Sequence, residues 1–169
     1  MAALPAIVAK IRLILAAFFS RVMRTRFAQR FISPIFPPLH LRLYKWTGGR
    51  FNFTSLIVPS LVLETTGAKS GLKRETPLMC WPRPDGTYLV AGSNWGQEHH
   101  PAWTTNLLAN PDAHIVISRK HIPIRAVLLT DDEREVAWPI LEAQWPGYHE
   151  YEAAAGGRKV RIFRLVPAA

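Results

Sequence analysis

Hydrophobic positions recur with a helical period in the first thirty residues. At about 100° per residue, six apolar side chains fall on one face: Ile7, Ile11, Ile14, Leu15, Phe18 and Val22. Cations flank that face at Lys10, Arg21 and Arg24. The pattern predicts an amphipathic helix in an N-terminal segment, residues 1–32. Its longest uninterrupted apolar run, residues 13–19, is well short of the roughly 20 residues that cross a bilayer. Two placements stay open: packing on the rest of the protein, or peripheral contact with a membrane surface through residues 5–30.

Proline interrupts the helical pattern in the stretch SPIFPP, residues 33–38. Proline lacks a backbone donor and pushes the preceding residue towards extended geometry, so this stretch predicts a linker. Residues 39–46 then predict a short helix that Gly48 and Gly49 can end. Residues 33–57 are therefore expected to form a Pro-containing linker and a short helix.

From about Val58 the pattern changes to short β-branched and aromatic runs separated by turn residues. Asp85-Gly86 predicts a hairpin. Strands are predicted at residues 61–63, 77–81, 87–93, 113–118, 122–129 and 159–166. Helices are predicted at residues 101–109, 131–145 and 148–154. About six mostly antiparallel strands with inserted helices predict an α+β barrel over residues 58–169, preceded by the N-terminal helices.

The net charge of the chain indicates which kinds of partner it attracts. The chain has 21 Lys+Arg against 12 Asp+Glu, a formal net charge of +9, so its field favours anionic partners. No nucleic acid partner is expected, because the predicted strands carry aliphatic residues instead of aromatics interleaved with cations. Cys80 is the only cysteine, which excludes an internal disulfide and suits a reducing compartment. The expected location is cytoplasmic, and it includes the inner face of the cell membrane.

The stretch TTGAKSGLKRETP, residues 65–77, concentrates groups that bind anions and is called the basic segment below. Its glycines allow backbone N–H groups to turn towards an anion, and Lys69, Lys73 and Arg74 add charge-assisted hydrogen bonds. It is not a nucleotide-triphosphate loop, because Ala68 and Leu63 stand where that motif needs glycine. The segment predicts a phosphate cradle; an ordinary solvated hairpin turn is the alternative.

Two further clusters carry aromatic and polar side chains. Residues 93–111 hold Ser93, Trp95 and Trp103 beside a histidine pair, without the spacing of a metal site or a serine-hydrolase elbow. They suit stacking of a planar heterocycle, although both tryptophans could equally be core residues. Trp145, Tyr148 and Tyr151 lie three residues apart, so they form either core packing or a pocket wall with two phenols.

The three clusters occur in one order: residues 65–71 with Arg74 and Pro77, Ser93, residues 100–103 with Asn106, and residues 146–148 with Tyr151. This ordered set resembles the deazaflavin-dependent nitroreductase family, the quinone and nitro reductases that use coenzyme F420. The resemblance covers about residues 61–167. It implies a split β-barrel and hydride transfer from reduced F420 (F420H2) to an electron-poor acceptor such as a quinone, nitro compound or activated enone. FMN is the less favoured cofactor.

The resemblance also assigns residues. It implies that Ser93, Tyr148 and Tyr151 stabilise the reduced acceptor as hydrogen-bond donors or through solvent. The cofactor-binding residues that it implies are Ala68, Lys69, Ser70, Gly71, Lys73, Arg74, Thr76, Pro77, Leu78, Met79, Ala91, Gly92, Ser93, Asn94, Ala102, Trp103, Asn106 and Tyr148. No titratable residue of the set is an obvious obligatory acid or base, and no metal is expected.

The chain departs from the family pattern at four positions. Ala68 replaces a second cation, Asn94-Trp95 replaces the first two residues of a Lys-Gly-Gly run, and Met79 replaces an aromatic residue. These changes alter the expected tail contacts and the shape of the acceptor pocket. The alternative function is a non-catalytic barrel that binds a lipid, flavin or heme-like ligand. By analogy with other split barrels, a homodimer is the expected assembly.

Overall fold

A computed structural model describes residues 11, 14–15, 17–18, 21–22, 25, 27–32, 35–47, 54–56 and 58–168. All the residues that are described between 11 and 22 are helical, in agreement with the predicted N-terminal helix. Ile7, Lys10 and Arg24 of that prediction lie outside the described residues. On the predicted apolar face, Ile11 and Phe18 are exposed, and so are Ile14 and Leu15.

Helix α1 (Phe36–Trp46) follows a π-helical turn at Ala28–Ile32. It begins inside the stretch expected to be a linker, so that expectation is wrong for residues 36–38. The physical reason is that prolines in the first helical turn lose no hydrogen bond, because N–H groups there have no partner within the helix. At the other end Thr47 Oγ1 donates to the Leu43 carbonyl at 2.9 Å. Gly48 and Gly49, the predicted stop, lie outside the described residues.

Seven antiparallel strands form one curled sheet. They are β1 (Ser60–Thr66), β2 (Lys73–Met79), β3 (Trp81–Pro82), β4 (Tyr88–Ala91), β5 (Asp112–Ile117), β6 (Lys120–Leu128) and β7 (Ile162–Pro167). Their order across the sheet is β2-β1-β5-β6-β7-β4-β3. The architecture is the α+β split barrel that was expected.

Strand β2 is the main departure from the predicted elements. The second strand was predicted to begin at Pro77, but Lys73 and Arg74 already pair with Thr66 and Thr65 of β1. Cys80 then separates β2 from β3, since its N–H donates to the Pro59 carbonyl outside the ladder. The single strand predicted at residues 77–81 is therefore divided between two strands, β2 and β3. The hairpin at Asp85-Gly86 joins β3 to β4 as expected.

Three helices pack on the sheet: α2 (Ala102–Ala109), α3 (Asp131–Gln144) and α4 (Gly147–Ala154). Thr130 starts α3 with a reciprocal capping box to Glu133, which satisfies two otherwise unpaired N–H groups. Buried side chains form two clusters. One joins the strands to α2 around Leu63, Ile115 and Phe163. The other joins α3 and α4 to β3 and β4. None of the helices described here combines the length and the apolar content needed to cross a membrane.

Candidate functional site

A cavity of about 270 Å³ lies between the barrel and the helices that precede it. Strands β2 and β4 form one side, and helix α1 forms another. Its lining is mostly apolar, with a few polar side chains. The lining residues are Val22, Ile32, Phe36, Pro37, His40, Thr54, Val58, Thr76, Pro77, Leu78, Met79, Ala91, Ser93, Asn94, Trp95, Pro101, Trp103, Trp145 and Tyr148. An apolar cavity with few polar groups is the usual form of a site for a small organic ligand.

A left-handed turn after β4 brings Ser93, Asn94 and Trp95 to this cavity. Asn94 has φ 49°, Trp95 has φ 56° and Gly96 has φ 77°. Two consecutive non-glycine residues in this region cost conformational energy, which surrounding contacts must offset. At Gly96 a Cβ would lie 3.2 Å from the Tyr151 carbonyl oxygen, so the turn sits directly against α4. The turn that carries Ser93 and the helix that carries Tyr148 and Tyr151 are thus in contact.

Arg158 stabilises the left-handed turn through hydrogen bonds to its backbone. Its guanidinium donates to the carbonyl oxygens of Ser93 (2.7 Å) and Gln97 (2.8 and 3.0 Å), with a longer bond to that of Gly92 (3.3 Å). Its Nη1 is also 3.2 Å from Nδ1 of His100. Burial lowers the pKa of His100, and nearby Arg161 and Arg158 lower it further, so the neutral ring is favoured. The arrangement fixes the backbone of the turn without a ligand.

The aromatic wall of the cavity comes from the end of α3 and from α4. Tyr148 lines the cavity and contacts the rings of Trp81 (5.4 Å) and Trp138 (6.1 Å) edge to face. Burial raises the pKa of Tyr148 well above its ordinary value, so the phenol stays protonated and can donate a hydrogen bond. Tyr151 is fully buried, and its Oη accepts a hydrogen bond from Trp145 Nε1 at 3.3 Å. Tyr148 therefore faces the cavity, whereas Tyr151 belongs to the packing behind it.

The basic segment forms the hairpin between β1 and β2. Gly67 N–H donates to the Leu72 carbonyl at 2.9 Å, and Gly71 N–H to the Gly67 carbonyl at 2.8 Å. Helix α2 holds this hairpin through Asn106, whose Oδ1 accepts from Ala68 N–H at 3.0 Å and whose Nδ2 donates to Thr65 Oγ1 at 3.1 Å. Asn106 is buried, so its amide is a structural tie between the helix and the hairpin.

The cations of the basic segment are in different environments. Lys73 Nζ is 2.9 Å from the largely buried carboxylate of Glu64, and this hydrogen bond raises the pKa of Lys73. Lys69 and Arg74 are exposed at the tip of the hairpin and the start of β2. Lys73 is exposed but already paired with Glu64, so Lys69 and Arg74 are the cations of this segment best placed to meet a ligand.

The structure divides the predicted site residues into two groups. Those that line the cavity are Thr76, Pro77, Leu78, Met79, Ala91, Ser93, Asn94, Trp103 and Tyr148. Those that lie outside its lining are Ala68, Lys69, Ser70, Gly71, Lys73, Arg74, Gly92, Ala102, Asn106 and Tyr151. Gly92 packs on α2, where a Cβ would lie 2.6 Å from Thr104 Cγ2. The roles assigned to both groups stay predictions.

Sequence reasoning missed two residues at the site. His40 comes from α1, where a single histidine among apolar residues carries no motif, yet it is buried and lines the cavity. Arg158 follows α4, where the run GGRKV reads as a turn. Only the folded backbone brings it to carbonyl oxygens more than sixty residues earlier in the chain. Neither residue could have been found from local spacing.

Comparison with known proteins places this site in a family. The profile of the family described as F420H(2)-dependent quinone reductase matches residues 39–167. The Mycobacterium tuberculosis F420H(2)-dependent quinone reductase Rv1261c is 35% identical over 103 residues, which cover 60% of this chain and 68% of the relative. Among solved structures, the F420-H2 dependent reductase FDR-A is 35% identical with a TM-score of 0.56, covering 63% of this chain and 93% of that one.

A second solved structure, described as a domain-swapped dimer, is 32% identical with a TM-score of 0.59 and covers 73% of this chain and 91% of that chain. The family match begins within α1 and covers the whole barrel. The chain therefore belongs to the F420H(2)-dependent quinone reductase family.

Proposed function

We propose that this chain binds reduced F420 along strand β2 and transfers a hydride from it to a quinone in the cavity. The observation that carries the proposal is the position of β2. The exposed cation Arg74 lies at the second position of the strand, and Met79 at its end lies in the cavity wall. At about 3.3 Å per residue these two residues are roughly 16 Å apart. One strand thus joins an anion-attracting end to an apolar end, as a ligand with a planar ring and an anionic tail requires.

The residues present fit such a cofactor. Thr76, Ser93 and Asn94 contribute polar groups to a mostly apolar, aromatic lining, which suits a planar ring with polar substituents. Lys69 and Arg74 would meet the phosphate and the carboxylates of the tail by charge-assisted hydrogen bonds. When bound, the reduced cofactor supplies a hydride at its deazaflavin ring.

The chain's own contribution is positioning and charge stabilisation. The turn held by Arg158 fixes Ser93 in the cavity lining, and α4 contributes Tyr148 to the same lining. Their hydroxyl groups can donate to the oxygen that becomes negative when the quinone is reduced. The apolar lining excludes water and strengthens these hydrogen bonds. Tyr148 acts as a donor and keeps its proton, because burial disfavours its anion.

Fluorescence titration with F420, with FMN in parallel, tests the cofactor assignment. We expect F420 to bind at micromolar concentration or tighter and FMN to bind at least about tenfold more weakly. Lys69→Ala and Arg74→Ala should each weaken F420 binding about tenfold, which is about 1.4 kcal/mol. Lys120→Ala, which removes an exposed cation at the β5–β6 turn, is the matched control.

Oxidation of F420H2 with the quinone menadione then tests turnover. Tight F420 binding without oxidation by any quinone would favour the non-catalytic alternative. Absence of F420 binding would remove the basis of the whole proposal.

The acceptor is proposed to reach the cavity from a membrane surface. Helix α1 and the residue that precedes it expose an apolar stripe at a spacing of four, four and three residues: Ile35, Leu39, Leu43 and Trp46. Exposed Arg42 borders the stripe, and Arg21 and Arg30 add positive charge in the segment before it. The adjacent face of the same helix, with Phe36 and His40, lines the cavity. A surface that combines apolar residues and cations suits an anionic leaflet, and quinones dissolve in lipid.

Sedimentation with lipid vesicles tests this surface. The protein should bind vesicles containing about 30% anionic lipid. High salt should weaken this binding, because it screens the exposed cations, each of which contributes at most about 1 kcal/mol to the binding free energy. The double variant Leu43→Ser, Trp46→Ser should lose binding and keep menadione reduction in detergent. Val136→Ser, at an exposed valine of α3, is the matched control. Equal vesicle binding by the double variant and the control would refute the role of this stripe.

A further inference from the structure

His40 is the imidazole that the structure brings to the cavity, and nothing in the family's name or in the site motifs gives it a role. It lies on α1, on the side of the helix next to the exposed apolar stripe. The ring is only 5% exposed, although histidine is a polar residue. The other polar groups of the lining are hydroxyls, indole N–H groups and one amide, which do not exchange protons near neutral pH. His40 is therefore chemically distinct from the rest of the cavity wall.

The immediate surroundings of His40 hold its ring in a defined position. Nδ1 lies 3.1 Å from the hydroxyl oxygen of Thr54, which also lines the cavity. A hydroxyl can donate to the neutral ring at Nδ1 or accept from the protonated ring at the same atom. Thr54 can thus hold the ring in one orientation in both states. Phe36, one helical turn earlier, packs against the ring edge to face at 5.9 Å and restricts it further.

We propose that His40 is the acid that protonates the reduced acceptor. The inference rests on the proposed function, because a quinone needs a proton in addition to the hydride. The hydride brings two electrons and one hydrogen to the quinone and leaves a negative charge on one oxygen. The N–H bond of the imidazolium breaks, an O–H bond of the hydroquinone forms, and the neutral ring regains a proton from solvent. Tyr148 is a poor source of this proton, because burial raises its pKa well above the ordinary value.

The placement on α1 has a consequence for catalysis. Helix α1 also carries Lys45, which forms an ion pair with Glu75 on β2, the strand whose later residues line the cavity. The helix that bears the proposed acid is thus tied to the strand that bears the proposed cofactor contacts. The acid, the acceptor cavity and the cofactor strand are held in one arrangement by the fold.

Two variants test the role of His40. His40→Phe removes the proton donor and keeps a ring of similar size against Phe36. His40→Gln keeps a hydrogen-bonding side chain that cannot donate a proton at this pH. General acid catalysis typically contributes 10²–10⁴-fold, so we expect menadione reduction to slow by at least about tenfold in both variants. Fluorescence titration should show F420 affinity within about twofold of the original protein. His114→Gln, at an exposed histidine of β5, is the matched control and should behave as the original protein.

A series of quinones separates an acid from a residue that only shapes the cavity. Duroquinone gives a strongly basic hydroquinone anion, whereas tetrachlorobenzoquinone gives a weakly basic one that needs little help from an acid. The rate lost in His40→Gln should be largest for duroquinone and smallest for tetrachlorobenzoquinone. A loss that is equal across the series, or no loss at all, would overturn the proposal.

The controls also separate this inference from the function on which it rests. If the unaltered protein neither binds F420 nor reduces any quinone, the proposed function fails. If the unaltered protein does both and the His40 variants reduce duroquinone at the original rate, only the role of His40 fails. Thermal unfolding of each variant identifies a loss of rate that comes from unfolding, and His40→Gln serves where His40→Phe does not fold.

Discussion

At the scale of single residues, Arg158 shows how a side chain far from any motif can define a site. The left-handed turn that presents Ser93 needs compensation for its backbone energy, and the Arg158 guanidinium supplies it through hydrogen bonds to three carbonyl groups. Hydrogen bonds from a charged donor stabilise by about 1.5–3 kcal/mol, more than neutral ones. The planar fork of arginine reaches several oxygens at once, which a lysine ammonium does not.

We expect Arg158→Lys to impair the reaction without removing any group that faces the cavity. The second-order rate constant for menadione should fall at least about tenfold, and the free energy of unfolding should fall by about 2 kcal/mol. Steady-state kinetics and urea unfolding measure the two effects. Arg125→Lys, at an exposed ion pair with Asp112, should change stability by less than about 1 kcal/mol. Unchanged kinetics in Arg158→Lys would show that the turn is stable without the guanidinium.

Cys80 gives a prediction about pH. Burial raises the pKa of its thiol to about 12, compared with roughly 8.5 for an exposed cysteine. Because the pKa of the thiol is higher in the folded state than in the unfolded state, the buried neutral thiol contributes fully to the free energy of unfolding below about pH 8.5. This contribution is lost as pH rises towards 12. At about pH 9, a disulfide reagent should label Cys80 much more slowly in the native protein than in urea.

An exposed reference thiol makes the labelling rate interpretable. Thr105→Cys in a Cys80→Ser background places a cysteine on the exposed side of α2 and should be labelled rapidly without urea. Rapid labelling of native Cys80 at the same rate would contradict its burial between β2 and β3.

At the scale of elements, helix α2 and the β1–β2 hairpin act as one unit. The basic segment looks in sequence like a flexible loop rich in glycine and cations. In the structure it is a short turn between two paired strands, tied to the buried amide of Asn106. Such a tie reduces the entropy that the hairpin would lose on binding an anionic ligand.

Asn106→Ala should therefore weaken F420 binding several-fold, although Asn106 lies outside the cavity lining. The change frees Ala68 N–H and lets the hairpin carrying Lys69 move. Asn110→Ala is a close control, because its exposed Nδ2 reaches the Thr66 carbonyl at a longer 3.4 Å. Fluorescence titration should show a smaller effect for the control. An equal effect in both variants would argue against the tie.

At the scale of the whole molecule, the net charge of +9 should draw the anionic cofactor towards the basic segment. The Debye length shrinks from about 30 Å at 0.01 M salt to about 3 Å at 1 M. F420 affinity should accordingly fall at least about tenfold across this range. The deazaflavin chromophore without phosphate and tail is the control, and its weaker binding should change little with salt. A salt-independent F420 affinity would mean that the tail makes no electrostatic contact.

The sequence by itself determined the fold class and most of the elements, and it predicted the chemistry of the two ends of the site. The change from helical to alternating periodicity located the barrel, because side-chain periodicity follows directly from backbone geometry. The density of glycine, hydroxyl and cationic residues identified the basic segment, and the order of the motifs identified the family. These features are local or depend on order along the chain, so no folded backbone is needed to recognise them.

The tertiary structure alone decided which of these groups share a cavity. It brought His40 and Arg158 to the site from outside every motif, and it assigned Lys73 to Glu64 and Tyr151 to the core. It also started α1 at Phe36, within a stretch whose prolines suggested a linker. The physical reason is common to all of these: burial and partners depend on contacts between residues distant in sequence, and propensity and spacing carry no information about those contacts.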